Sequence, residues 1–153
     1  MTPAIACPNL TCIVPTAGRS PHLGECVHAL AACREAAVLV VTEEGAELSL
    51  SDELPSSRVV TVPPGAGFAR ACNRGLSKID TDYVALVNDD ALVESDWCSA
   101  LVAVMESDPD VASAQGTILH LDDDASIDGC GIGWNRHWQA VQIDRGSVPD
   151  LSL

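Results

Sequence analysis

The chain has 153 residues, with 22 acidic against 8 basic side chains and a formal net charge of −14. This length suits one domain with a real core, and an apolar share of 47% argues against wholesale disorder. The charge repels phosphate backbones and anionic lipid heads, which disfavours a nucleic-acid or membrane-surface binder unless a cation intervenes.

Leu10-Thr11-Cys12-Ile13-Val14 is a short apolar run stopped by Pro15, the pattern of a buried strand. From Pro21 to Arg34 the residues Leu23, Val27, Leu30 and Ala31 recur at helical spacing, with Ser20 placed to cap and Pro21 as first residue. Val38 to Val41 is a second buried strand, and the polar, turn-rich stretch Glu43 to Ser57 predicts a loop. Arg58 to Val62 is a third strand, ended by Pro63-Pro64-Gly65. Phe68, Ala71, Cys72, Leu76 and Ile79 give one face of a helix. Tyr83 to Val87 predicts a fourth strand, apolar throughout and so buried on both sides. Ser95 is placed to cap a helix with Leu101, Val102 and Met105 on its inner face, and Val111 to Leu119 predicts a further strand.

Strands alternating with helices imply an α/β fold with a mostly parallel central sheet flanked by helices. Ligands of such sheets sit beyond the carboxyl ends of the strands. The segments to inspect are therefore Pro15 to Arg19, Thr42 to Gly45, Pro63 to Gly67 and Asn88-Asp89-Asp90.

Asn88-Asp89-Asp90 is the sharpest of these. Two adjacent carboxylates after a buried strand repel each other unless solvated, hydrogen-bonded or bridged by a cation. Mg²⁺ or Mn²⁺ would take one or two carboxylates and complete its shell with phosphate oxygens, inverting the local sign in an acidic chain. The plainer alternative is a solvated loop whose Asp caps the next helix.

Seven cysteines, an odd number without Cys-x-x-Cys spacing, suit neither a disulfide framework nor a metal knuckle. Cys26, Cys33, Cys72 and Cys98 fall in helical patterns and read as small buried apolar residues in a reducing cytosol. The first residues carry no basic region, and the longest apolar run, Ala36 to Val41, is far below the ~18 residues of a membrane span. The expectation is a cytoplasmic protein, soluble or at most peripheral at the membrane. Lys78 is the only lysine, which fits a salt-adapted proteome or a GC-rich genome. His22, His28, His120 and His137 are dispersed and read as surface histidines. His137 between Trp134 and Trp138 could line a sugar site or belong to hairpin packing. Arg70 and Arg74, four apart on one helix, can face one side.

From Cys12 to Gly146 these pieces, taken in order, resemble the family 2 glycosyltransferases. Cys12 to Thr16, then Arg19 and Leu23, is similar to their opening strand and turn. Gly67-Phe68-Ala69 followed by Asn73-Arg74-Gly75 is similar to their helix signature, and Tyr83 to Ala91 to their strand ending in a DxD-type motif. Trp97, Val111 to His120 and Gly129-Cys130-Gly131 follow in the family's order.

The resemblance implies the GT-A fold, a Rossmann-like nucleotide-diphospho-sugar transferase sheet, and an inverting transferase acting in cell-wall or polysaccharide synthesis. The donor would be UDP- or dTDP-linked, and the acceptor a carbohydrate or other hydroxyl compound. Pro15, Thr16, Arg19, Glu43, Asn73, Asn88 and Asp89 would bind the nucleotide-sugar, and Asp90 would hold the divalent metal. Glu43 stands near where the family has Asp, and Gly65 where it often has Asn, which touches nucleotide preference more than fold. The family's catalytic base lies in a later acidic motif. The resemblance thus makes residues 1–153 a single GT-A-like domain, its nucleotide-sugar-binding part, truncated before the acceptor half. Asp122-Asp123-Asp124 and Asp128 read as an acidic turn, and no base is assigned.

Two alternatives come with this reading. A nucleotide-sugar-binding module without transferase activity would account for the missing base. A flavodoxin-like phosphoacceptor would need a lysine after a later strand, whereas Lys78 falls in a helical pattern.

Overall fold

A computed structural model describes residues 10–33, 36–48, 50, 58–121 and 126–149. The chain divides into two compact units, Met1–Val102 and Ala103–Leu153.

In the first unit, β1 (Leu10–Thr16), β2 (Ala37–Glu43), β3 (Val59–Val62) and β4 (Tyr83–Leu86) form a parallel sheet in the order β3-β2-β1-β4. The register sets Ile13 beside Leu39 on one side and Leu86 on the other. Helices α1 (Leu23–Ala32), α2 (Phe68–Leu76) and α3 (Trp97–Ser107) complete the layers. Strand alternation sends Leu10, Cys12, Val14, Val38 and Val40 to one face, where they pack with Leu23, Cys26, Val27 and Leu30 of α1 and with Cys98 and Val102 of α3. Ile13, Leu39, Val41 and Val62 go to the other face, against Ala71 of α2. Each such fully buried aliphatic side chain contributes about 1.5–3 kcal/mol.

The expected α/β sheet is present, with several corrections in detail. α1 starts at Leu23 rather than Pro21, and His22 stands at its N-cap without a side-chain cap bond. Its predicted end at Arg34 lies outside the described residues. Its buried face is Leu23, Cys26, Val27 and Leu30, and Ala31 is exposed. In α2 the buried residues are Ala71, Cys72 and Gly75, whereas Phe68 and Leu76 are exposed. The helix sits on its smallest side chains. Lys78 lies in the turn after α2, not in the helix. β4 is not buried on both sides. α2 packs over β1, β2 and β3, so Val84 and Leu86 of β4, at the edge of the sheet, are left exposed. On α3, Cys98 and Val102 are buried, while Leu101 and Met105 are only partly so. Of the predicted strand Val111 to Leu119, only β5 (Ile118–Leu119) forms, and among the described residues only there does a partner strand lie alongside.

The second unit is built of short antiparallel pairs, β5 with β6 (Ile127–Gly129) and β7 (Ile132–Trp134) with β8 (Ala140–Gln142). At the tip of the β7–β8 hairpin, Asn135 Oδ1 accepts from the backbone N–H of His137 and Gln139. Trp134 and Trp138 are 67% and 83% exposed, so the hairpin-packing expectation for them does not hold.

The expectation for the cysteines is met: Cys12, Cys26, Cys33, Cys72 and Cys98 are buried free thiols, Cys130 is half-buried, and Cys7 lies outside the described residues. Burial pushes the Cys26 thiol up to about 11, helped by the nearby carboxylates of Asp89 and Asp90. Burial likewise pushes Cys33 up to about 11. The unfolded chain would lose these protons near pH 9 and the folded chain only near pH 11. Their contribution to stability is therefore complete below about pH 9 and lost as the pH rises to about 11. A melting series across that window is expected to show a falling Tm, with a shallower fall in the Cys26→Ala/Cys33→Ala double variant.

Candidate functional site

Strand order makes the site. β1 is flanked by β2 on one side and β4 on the other, with α1 and α2 on opposite faces, so chain direction splays apart beyond the strand ends. Such a reversal opens a crevice at the carboxyl edge of the sheet. A cleft of about 310 Å³ lies there, lined by Pro15 and Thr16 at the end of β1, Ala17 after it, Glu43 at the end of β2, Val62 of β3, Gly67 at the N-cap of α2, Phe68 and Ala71 of α2, and Asn88 and Asp89 after β4.

Hydrogen bonds fix its polar end. Thr16 Oγ1 donates its only proton to Asp89 Oδ2 at 2.5 Å and accepts from the Gly18 backbone N–H at 2.9 Å. Gly18 has φ +73°, and a Cβ there would lie 2.9 Å from Ala46 Cβ, so glycine suits this tight loop. Ser20 Oγ donates to the Asp89 carbonyl at 3.1 Å and accepts from His22 N–H at 3.2 Å. Cys26 Sγ donates to the Asn88 carbonyl at 3.3 Å, and Ala91 N–H to the same oxygen at 3.3 Å. The turn carrying the two aspartates is thus held from β1, from the β1–α1 loop and from α1. Across the cleft, Glu43 Oε1 accepts from Gly65 N–H at 2.8 Å, which leaves its second oxygen without a share in that bond.

Five of the sequence-predicted residues, Pro15, Thr16, Glu43, Asn88 and Asp89, come together here. Arg19 is exposed in the β1–α1 loop, Asn73 is exposed on α2 and Asp90 is exposed beside Asp89; none of the three lines the cleft. Val62, Phe68 and Ala71 line the cleft too, although the sequence marks them as strand, helix-face or helix-signature residues and not as binding residues. Phe68 is 58% exposed because it starts α2 at the rim. The signals for it are its place directly after the Pro63 to Gly67 segment and its part in the Gly67-Phe68-Ala69 signature.

Among the described residues, no group of three His, Cys, Asp or Glu side chains converges. Asp89 and Asp90 alone would be a poor resident metal site, but a pair of carboxylates suits a hard cation that shares its shell with phosphate oxygens and water. Elsewhere, Asp128 is paired with His120 and Arg145 at 3.4 and 3.3 Å, His22 and His137 lie at the surface, and Asp122–Asp124 are outside the described residues. Arg70 and Arg74 are exposed on α2, outside the cleft.

A four-stranded parallel sheet flanked by helices, with a cleft at the carboxyl ends of its strands, defines an α/β domain whose fold places a cleft where such sheets take their ligands. A family model described as glycosyltransferase-like family 2 matches residues 8–145. The chain belongs to that family. Among solved structures it is similar to S. aureus TarS 1–349 in complex with UDP-GlcNAc, at 18% identity and a TM-score of 0.52, covering 65% of this chain and 31% of that one. The chain thus spans about a third of TarS 1–349, and the likeness is one of fold. No curated protein matches it. No helix among the described residues is long and apolar enough to cross a membrane.

Proposed function

We propose that the chain is the donor-binding part of a glycosyltransferase that holds a uridine- or thymidine-diphospho-sugar together with Mg²⁺ or Mn²⁺. The sugar then passes to an acceptor hydroxyl with inversion. The observation that carries this reading is the cleft at the strand ends, which combines the apolar residues Pro15, Val62, Phe68 and Ala71 with the polar set Thr16, Glu43, Asn88 and Asp89.

A pyrimidine nucleoside diphosphate has matching parts. Its flat base suits the apolar lining residues, where stacking on an aromatic such as Phe68 contributes about 1–3 kcal/mol. The free oxygen of Glu43 can accept an N–H of the base. The diphosphate belongs at the aspartates, and there a net charge of −14 demands a counterion. Asp90 is assigned as the metal-binding carboxylate and Asp89 as its neighbour against the ribose or the metal. When bound, the cation would neutralise charge on the leaving diphosphate. The acceptor oxygen would approach the anomeric carbon from the opposite face and give its proton to a carboxylate base.

Calorimetry with uridine and thymidine diphosphates, with Mn²⁺ and with chelator, tests the reading. UDP comes first because the structurally similar TarS was solved with UDP-GlcNAc. Mn²⁺ is expected to tighten binding well above the weaker affinity in chelator, and Asp90→Ala to weaken the Mn²⁺-dependent binding at least about tenfold, the scale on which groups at metal sites act. Binding of neither nucleotide, or binding indifferent to Mn²⁺ and to Asp90→Ala, would overturn it.

A further inference from the structure

We propose that Ser20 is a positioning residue for the aspartate turn, acting through the main chain of Asp89. This rests on the donor-binding reading above. The sequence placed Ser20 as a helix cap, and its hydroxyl does accept from His22 N–H at 3.2 Å. The proton of that hydroxyl goes elsewhere, to the carbonyl of Asp89 at 3.1 Å, 69 residues along the chain. One hydroxyl therefore joins the entry of α1 to the turn that carries both carboxylates.

The turn follows the edge strand β4 and is held by few bonds. Its carboxylate is held by Thr16 and the carbonyl of Asn88 by Cys26 and Ala91, but the Asp89 carbonyl is held by Ser20. A peptide plane free to rotate at Asp89 would swing the backbone of Asp90 with it, since the carbonyl and the following N–H lie in one plane. A site that shares a cation with a flexible diphosphate works only if its carboxylates are already in place. Thr16 has the companion role: its proton is committed to Asp89, so it acts on the nucleotide through that carboxylate rather than by donating to it directly.

The test uses the whole chain. Mn²⁺ is titrated calorimetrically at fixed UDP, and UDP affinity in chelator is measured beside it, for wild type, Asp90→Ala, Ser20→Ala and Ser20→Thr. Ser20→Ala is expected to raise the Mn²⁺ concentration needed for half-saturation about tenfold, to leave metal-free UDP affinity as it is, and to melt cooperatively. Ser20→Thr keeps the donor and is expected to restore the wild-type titration. If the wild type and Asp90→Ala behave as the donor-binding reading requires but Ser20→Ala titrates like wild type, the positioning role falls and the reading stands. If Ser20→Ala fails to fold, or weakens UDP equally with and without Mn²⁺, Ser20 is only a structural cap and the proposal also falls. Wild-type binding that ignores the metal overturns both.

Discussion

Gly75→Val is expected to destabilise the protein by about 3 kcal/mol, or roughly 6–12 °C in Tm for a chain of this size. Gly75 is on the buried face of α2. A Cβ there would lie 2.8 Å from Ile13 Cγ2, 3.0 Å from Ile13 Cδ1 and 3.2 Å from Val41 Cγ2. Ile13 is wholly buried in the sheet, between Leu39 and Leu86. Helix propensity works the other way, favouring alanine over glycine by about 1 kcal/mol. Gly75→Ala therefore measures the clash against that gain, and Gly75→Val adds two methyl groups to the same contact. Urea unfolding is expected to rank wild type above Gly75→Ala and Gly75→Ala above Gly75→Val. An alanine variant more stable than wild type would mean that α2 stands farther from β1 than these distances.

That contact also explains which parts of the molecule could be read from residues alone. β1 and β2 are runs such as Cys12-Ile13-Val14 and Val38 to Val41, apolar at every position, and a strand with both faces covered demands that pattern. β4 has a similar run, yet half of it is exposed, since coverage depends on where α2 lies and not on the strand's own composition. In α2 the large residues Phe68 and Leu76 outweigh Ala71, Cys72 and Gly75 in any periodicity. Close packing reverses the order, because a helix resting on a flat sheet can put its smallest residues inward. The stretch 111–117 pairs with no strand among the described residues, and a strand exists only in company.

The cleft was legible in part for the same kind of reason. Residues that follow strands must lie at the carboxyl edge, which places Thr16, Glu43, Asn88 and Asp89 together whatever the strand order. The bond from Thr16 to Asp89 needs β4 to sit next to β1, across 73 residues of chain, and chain order does not reveal that. Ser20 shows the opposite case. Its type and position suggested the cap of α1, but His22 holds that place, and Ser20 accepts instead from the N–H of His22 in the turn before the helix. Its bond to the Asp89 carbonyl needs β4 beside β1, which brings the turn after β4 to the β1–α1 loop.

Asp89 then separates two contributions that the same carboxylate makes. Asp89→Ala is expected to weaken Mn²⁺-dependent UDP binding about 100-fold, near 2.7 kcal/mol, and to cost stability as well. The stability loss arises because Thr16 Oγ1, on a buried residue of β1, loses the acceptor of its proton. An unsatisfied buried hydroxyl costs about 1–3 kcal/mol. Asp89→Asn keeps an oxygen for Thr16 and removes only the charge, so it is expected to recover most of the stability and little of the metal-dependent binding. Thermal melts read the first effect and Mn²⁺ titrations at fixed UDP the second. If Asp89→Asn bound Mn²⁺ and UDP like wild type, the charge of Asp89 would have no part in donor binding, and its carboxylate would serve only to anchor the β1–α1 loop. If the two variants lost stability equally, the short bond to Thr16 would not be the contact that holds that loop. The two replacements together therefore say whether the acidity concentrated after β4 is there for the ligand, for the fold, or for both at one atom each.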